Sequence, residues 1–309
     1  VTERQLIAMP DGRKLEFLTV GPEDGLPLVL HEGTPVGLEV YPPTVEAARR
    51  RGLRVVQIAR PGYERSTPWP GRRVADIGGD TRVVMDYLGA ETFVTAGWSG
   101  GGPHALACAA VLSGRCLAAA SVAGVAPYDA EGLDWTAGMA PENVAEFGAA
   151  LAGPDELTAF LEREADGLRS VTGADVASSL GGLVSAVDIA ALTGEFAETL
   201  AGGLRAAVSG GVTGWRDDDL AFVADWGFTL GWGDELDDLL SPDAPRPAPV
   251  AIWQGDQDRM VPFAHGAWLA AHIPGARKHL LRGEGHLTLT VGSIDRILDD
   301  LLDLADLTH

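Results

Sequence analysis

Three residues of this chain have the types and surroundings that acyl transfer requires. Ser99 stands in Gly97-Trp98-Ser99-Gly100-Gly101. This is a G-x-S-x-G turn, in which glycines let the backbone pass sharply from strand to helix and leave the serine hydroxyl exposed. A serine hydroxyl is a weak nucleophile until a base takes its proton, and the base needs an acid to orient it. His286, in Gly283-Glu284-Gly285-His286-Leu287, is the candidate base. Asp258, in Gly255-Asp256-Gln257-Asp258-Arg259-Met260-Val261-Pro262, is the candidate acid, with Asp256 and Asp129 as competitors. The other histidines considered, His31, His104, His265, His272 and His279, read as structural residues.

A five-residue motif recurs by chance in a chain with 40 glycines, so its weight comes from the elements around it. Residues 93–96 form an apolar run that leads straight into the motif, and a helix-like stretch, 103–112, follows. Upstream, residues 5–9 and 14–18 flank Asp11-Gly12, a dipeptide suited to a hairpin turn. Further strands are predicted at 28–30, 54–58 and 117–122, separated by helical stretches, and again at 250–253 and 278–281 around a helix near 263–272. An amphipathic helix, 293–304, follows them. Continuous apolar strands spaced by helices predict an α/β protein with a mostly parallel central sheet covered on both faces. Ser99, Asp258 and His286 each follow one of these strands. Between the sixth and seventh strands the alternation stops. Residues 127–249 are helical in character, interrupted by glycine pairs at 181–182, 202–203 and 210–211, and the proline-rich stretch 242–249 reads as the return linker. The expected organisation is a first core segment, 1–126, a helical cap, 127–249, and a second core segment, 250–309.

Taken together, His31-Glu32-Gly33-Thr34-Pro35, Arg60-Pro61-Gly62-Tyr63, the Ser99 turn and the two loops carrying Asp258 and His286 resemble the α/β-hydrolase fold superfamily. They look most similar to its proline-iminopeptidase-like and esterase-like branches. The resemblance covers residues 1 to about 125 and 250 to 309, and the middle segment takes the place of that superfamily's cap. It implies an oxyanion hole made by the backbone amides of Thr34 and Gly100. Two departures stand out: Glu32 beside His31, where relatives commonly carry a second histidine or a glycine, and Trp98 before the serine, where histidine is frequent. Glu32 is expected to put negative charge near the reacting carbonyl and to disfavour anionic substrates. Trp98, Trp135, Met139 and Phe228 are candidate substrate contacts, and Phe147, Phe160, Trp226 and Trp232 belong to the same group of potential pocket or packing residues.

The chain of 309 residues has a net charge of −21. Phosphate recognition requires clustered lysine and arginine, so nucleic acid and anionic membranes are not expected partners. Residues 129–245 carry 23 Asp and Glu against 4 Arg, a local charge of −19, which reads as a solvated acidic surface. Cys108 and Cys116 lack metal-ligand spacing and read as buried thiols. No apolar run reaches the roughly 18 residues of a membrane span, and residues 1–5 lack a secretion signal's layout, so a cytoplasmic location is the expectation. The expected activity is hydrolysis of an ester or related acyl bond in a small, mainly apolar molecule, without metal or cofactor. An aminopeptidase of the iminopeptidase type and a non-hydrolytic ligand-binding protein are the alternatives.

Overall fold

The computed structural model describes residues 2–230 and 246–307. Eight strands form one sheet in the order β1-β2-β4-β3-β5-β6-β7-β8. Strands β1 (Glu3–Ala8) and β2 (Lys14–Val20) pair antiparallel across the expected turn, where Gly12 takes φ +89°. β2 pairs antiparallel with β4 (Leu53–Ile58), and from there the sheet is parallel through β3 (Leu26–His31), β5 (Phe93–Trp98), β6 (Cys116–Val122), β7 (Val250–Gly255) and β8 (Arg277–Leu281). The inner strands are buried along nearly their whole length, because helices cover both faces and neighbouring side chains point into opposite cores. Phe17, Val56, Phe93 and Ile252 pack on one face, and Leu28, Val55, Val94 and Ala251 on the other.

Helices α1 (Pro42–Arg50), α2 (Ile77–Tyr87), α3 (Gly102–Val111), α4 (Pro141–Ala152), α5 (Pro154–Leu168), α6 (Gly173–Ser179), α7 (Ala186–Ala191), α8 (Gly194–Ala207), α9 (Thr213–Phe222), α10 (Phe263–His272) and α11 (Thr288–Leu304) follow in chain order. Helices α4 to α9 lie between β6 and β7, where the sequence loses its alternation. They share apolar clusters with the sheet: Leu18 and Tyr63 pack with Leu157, Leu161 and Trp215.

Three local expectations need correction. The glycine pair 202–203 lies inside α8 instead of breaking it. A Cβ on Gly203 would come within 2.7 Å of the Val36 side chain, so glycine there lets the helix press against the loop after β3. α11 begins at Thr288, five residues before its expected start, for a reason given below. The expected helix between β3 and β4 occupies only α1. Of the return linker, residues 242–245 lie outside the described residues.

Candidate active site

Ser99 sits between β5 and α3 with φ +56°, a left-handed conformation that is strained for a side chain with a Cβ and costs roughly 1–3 kcal/mol. The surrounding glycines are dictated by contact. A Cβ on Gly97 would lie 2.0 Å from the Gly101 carbonyl oxygen, and one on Gly101 would lie 1.9 Å from that of His31. The loop after β3 is therefore pressed directly onto the serine turn. Gly33 approaches so closely that an added Cβ would be 3.3 Å from that of Ser99, and one on Gly100 would be 2.5 Å from Thr34 Oγ1. Thr34, Gly100 and Ser99 together line a cavity of about 370 Å3.

His286 lines the same cavity from the loop after β8. Its Nδ1 is 2.8 Å from Asp258 Oδ2, and its Nε2 has no hydrogen-bond partner among the described residues. Asp258, after β7, is itself fixed. Its Oδ1 accepts the backbone N–H groups of Met260 and Val261 at 2.9 and 2.8 Å, and its Oδ2 accepts from the Gln254 amide at 3.0 Å. Asp256 is exposed and caps the Gly283 N–H instead. Trp98 braces the histidine from the serine turn: its indole N–H donates to the His286 carbonyl at 3.1 Å, and the two rings lie 5.2 Å apart.

Two aspartates of the helical segment hold this machinery in place, and neither was singled out from sequence. Asp188 in α7 is fully buried and accepts the backbone N–H groups of His286, Leu287 and Thr288 at 3.1, 2.7 and 3.2 Å, with a fourth bond from the Ser185 hydroxyl. It thus caps the N-terminus of α11, where the local sequence supplies no side-chain cap, and this is why the helix can start at Thr288. Asp218 in α9 accepts from Arg60, Arg72, the Tyr63 hydroxyl and Thr34 Oγ1, at 2.7, 2.6, 2.8 and 3.0 Å. Burial would push the Asp218 carboxyl up, but Arg60 and Arg72 outweigh it and hold the group well below the usual carboxylate range. Arg60 also donates to the carbonyls of Glu32 and Gly33 at 2.7 and 3.0 Å, so the network pins the loop that carries Thr34. The acidic segment is therefore not only a solvated surface: Asp188, Asp217, Asp218 and Asp219 are all buried.

Other expectations change. The Glu32 side chain does not line the Ser99 cavity. It faces a separate space of about 80 Å3 on the other side of Trp98, where its Oε1 accepts from the Gln57 amide at 2.5 Å. Burial raises its carboxyl to about 7 against the pull of Arg60 and Gln57. Trp135, Met139 and Phe228 do not line the Ser99 cavity either. The Trp135 indole bonds the Ala126 carbonyl and packs edge-on against Phe147 and His265, Met139 is buried in the same cluster, and Phe228 lies against Trp226. These side chains seat the helical segment on the core. Of that group Phe147 and Phe160 do reach the cavity, joined by Trp215 and Phe222, while Trp232 lies outside the described residues. Of the remaining histidines, His31 lies against Cys108, His272 and His279 reach the Trp268 carbonyl and Asp300, and His104 sits 3.5 Å from Asp218. His265 bridges Ala126 and Trp135, and burial lowers it and His104 to about 4.

A serine on a strained strand-to-helix turn, a histidine with one nitrogen bonded to a buried aspartate, and a shared cavity make an arrangement fit for acyl transfer. The comparisons with known proteins agree with this architecture. A non-heme chloroperoxidase from Streptomyces lividans is 30% identical over 148 residues, covering 47% of this chain and 54% of that protein. A bifunctional esterase/perhydrolase from Acinetobacter calcoaceticus is 30% identical over 97 residues, 31% of this chain and 35% of that protein. The matched stretches thus span about half and about a third of the lengths of these relatives. The crystal structure of a bromoperoxidase from Bacillus anthracis superposes with a TM-score of 0.67 at 21% identity, covering 98% of this chain and 100% of that one. The family model described as alpha/beta hydrolase fold matches residues 27–293, and the chain belongs to that family.

Proposed function

We propose that the protein is a serine hydrolase that cleaves an ester or related acyl bond of a small, mainly apolar substrate. The observation that carries this reading is the pairing of Ser99, held at φ +56°, with His286 in one cavity, the histidine bonded to buried Asp258 on one side and unpartnered on the other. Ser99 Oγ attacks the acyl carbonyl while His286 Nε2 takes its proton, and Asp258 holds the imidazole and stabilises its charge. The backbone amides of Thr34 and Gly100 receive the oxyanion. His286 then returns the proton to the departing alcohol, and a water deprotonated by the same nitrogen releases the acid and regenerates the serine. The likeness to an esterase/perhydrolase and the aromatic walls of the cavity support this substrate class.

The test is labelling with a fluorophosphonate. One adduct per chain mapping to Ser99, and none on Ser99→Ala, is the expected result; equal labelling of both proteins overturns the mechanism. Turnover of a short acyl p-nitrophenyl ester against a prolyl p-nitroanilide separates esterase from aminopeptidase.

A further inference from the structure

Helices α4, α5 and α9 line part of the Ser99 cavity. Its charged lining there consists of four carboxyls, Glu142, Glu146, Glu164 and Asp219, and no lysine or arginine among the described residues lines it. Asp219 is the deep one, with half-buried Glu146 beside it. Asp219 is 1% exposed, and its Oδ2 has no donor among the described residues. Glu146 Oε1 accepts the Trp215 indole N–H at 2.6 Å, and its carboxyl faces that of Asp219. Two carboxyls can bond each other only by holding a proton between them, since ionised carboxylates are acceptors alone. Burial is the main cause that raises both groups above their ordinary values, and the charge of Glu146 adds to the rise of Asp219.

The neighbouring Asp218 shows what the pair lacks. Asp218 is matched by Arg60 and Arg72, whereas Arg72 acts on Asp219 only as a nearby charge: its Nη2 donates to Asp218 at 2.6 Å and to the Gly214 carbonyl at 3.2 Å, and its Nε has no hydrogen-bond partner among the described residues. A carboxyl pair on the lining of a substrate cavity, its deeper member buried with an unpartnered oxygen, is a site waiting for a positive donor. The surrounding side chains select the kind. Phe147, Phe160, Trp215 and Phe222 are the wrong company for a hydrated metal ion, which wants a shell of oxygens, but suit an organic cation whose N–H groups reach the carboxyls and whose carbon chain lies on the rings.

We propose that Glu146 and Asp219 bind a protonated amine of the substrate, so that the enzyme acts on acyl compounds carrying an alkylammonium group in the part that lies under α4, α5 and α9. The word substrate rests on the serine-hydrolase reading; the amine site itself does not. On binding, the N–H donors of the ammonium replace the proton shared by the pair, and that proton leaves to solvent. The groups that act on the pair are Glu164, Asp218, Arg72 and the Trp215 indole. Affinity should therefore rise as pH climbs above the ordinary carboxyl range and the raised pair gives up its proton, well below about 10.4, where an alkylamine loses its own charge.

The experiment is calorimetric titration of the full chain with n-hexylammonium and with 1-hexanol, equal in chain length, in two buffers of different ionisation enthalpy. The ammonium should bind about tenfold or more tightly than the alcohol, with net proton release. Asp219→Asn and Glu146→Gln should each shrink that preference. Equal affinity of the two probes for the wild-type protein overturns the proposal, as does a preference unchanged in both variants. Should Asp219→Asn not fold, Glu146→Gln and the wild-type pH dependence decide. Fluorophosphonate labelling keeps the two readings apart: an unlabelled Ser99 with the ammonium preference intact removes the hydrolase and leaves the amine site, and a labelled Ser99 without the preference does the reverse.

Discussion

Asp256 and Asp258 stand two residues apart in one loop, yet only Asp258 reaches His286, while Asp256 is exposed and caps Gly283. Removing the acid that orients a catalytic histidine costs about 10⁴-fold in turnover, whereas losing an exposed cap leaves the imidazole where it is. Asp258→Asn and Asp256→Asn should separate by about two orders of magnitude or more in kcat; equal losses would show that the loop's shape, not the Asp258 carboxylate, serves the histidine. Glu32 makes a different expectation. Its carboxyl is raised to about 7 by burial, so the neutral form is favoured in the folded protein, and the stability it brings is full below its ordinary value of 4.5 and is lost as pH rises through 7. Glu32→Gln removes that loss. The variant should be more stable than the wild type at pH 8, by on the order of 1–3 kcal/mol, and equal to it near pH 4 in urea unfolding. Because Glu32 faces the small cavity behind Trp98, the same substitution should leave the ratio of neutral to anionic ester turnover unchanged.

At the scale of elements, the last helix and the histidine loop are one unit closed by a residue nearly a hundred positions away. Asp188 receives three consecutive backbone N–H groups at the start of α11, one of them from His286 itself. Asp188→Ala should lower kcat by about 10- to 100-fold with little change in KM, because the base is displaced but the cavity walls stay. The lost cap should also cost about 1–2 kcal/mol in thermal or urea unfolding. A fall in stability with kcat unchanged would make Asp188 a helix cap and nothing more. This contact also shows why some of the fold was readable from sequence and some was not. Strand β5, the serine turn and the loops after β7 and β8 announce themselves through local pattern: an apolar run, glycines at fixed offsets, a histidine just past a strand. The start of α11 has no local signal, since its cap comes from α7. The cavity walls were hidden for the same reason. Trp135 and Phe147 are alike in composition and both buried, and only the packing of α4 on the core decides that Phe147 reaches Ser99. A run of three aspartates, Asp217 to Asp219, reads as a wet surface until Arg60 and Arg72 are brought to it from the core.

Across the whole molecule, that buried ion cluster decides how the helical segment and the sheet behave as bodies. Asp218 belongs to α9, while Arg60, Tyr63, Arg72 and Thr34 belong to the core, and all five meet at one point, where every one but Thr34 is buried. Together with Asp188 it fastens the segment at both halves of the site, the loop of Thr34 and the loop of His286. A segment tied in this way cannot lift as a free lid without exposing two arginines and breaking both loops, so α9 should unfold with the core. Hydrogen exchange offers the check: amides of α9 should be protected to the same free energy as those of β5, and markedly weaker protection of α9 would mean that the segment opens on its own. Asp218→Asn leaves Arg60 and Arg72 buried without their carboxylate, which typically costs about 3–5 kcal/mol. The sign of the pH effect follows from the depressed Asp218 carboxyl, whose stabilisation is present above its ordinary value of 3.8 and is lost as pH falls below it. The wild-type protein should therefore lose stability below about pH 4 more steeply than Asp218→Asn does, and acid curves of identical slope for the two would show that the cluster is held by packing instead of charge.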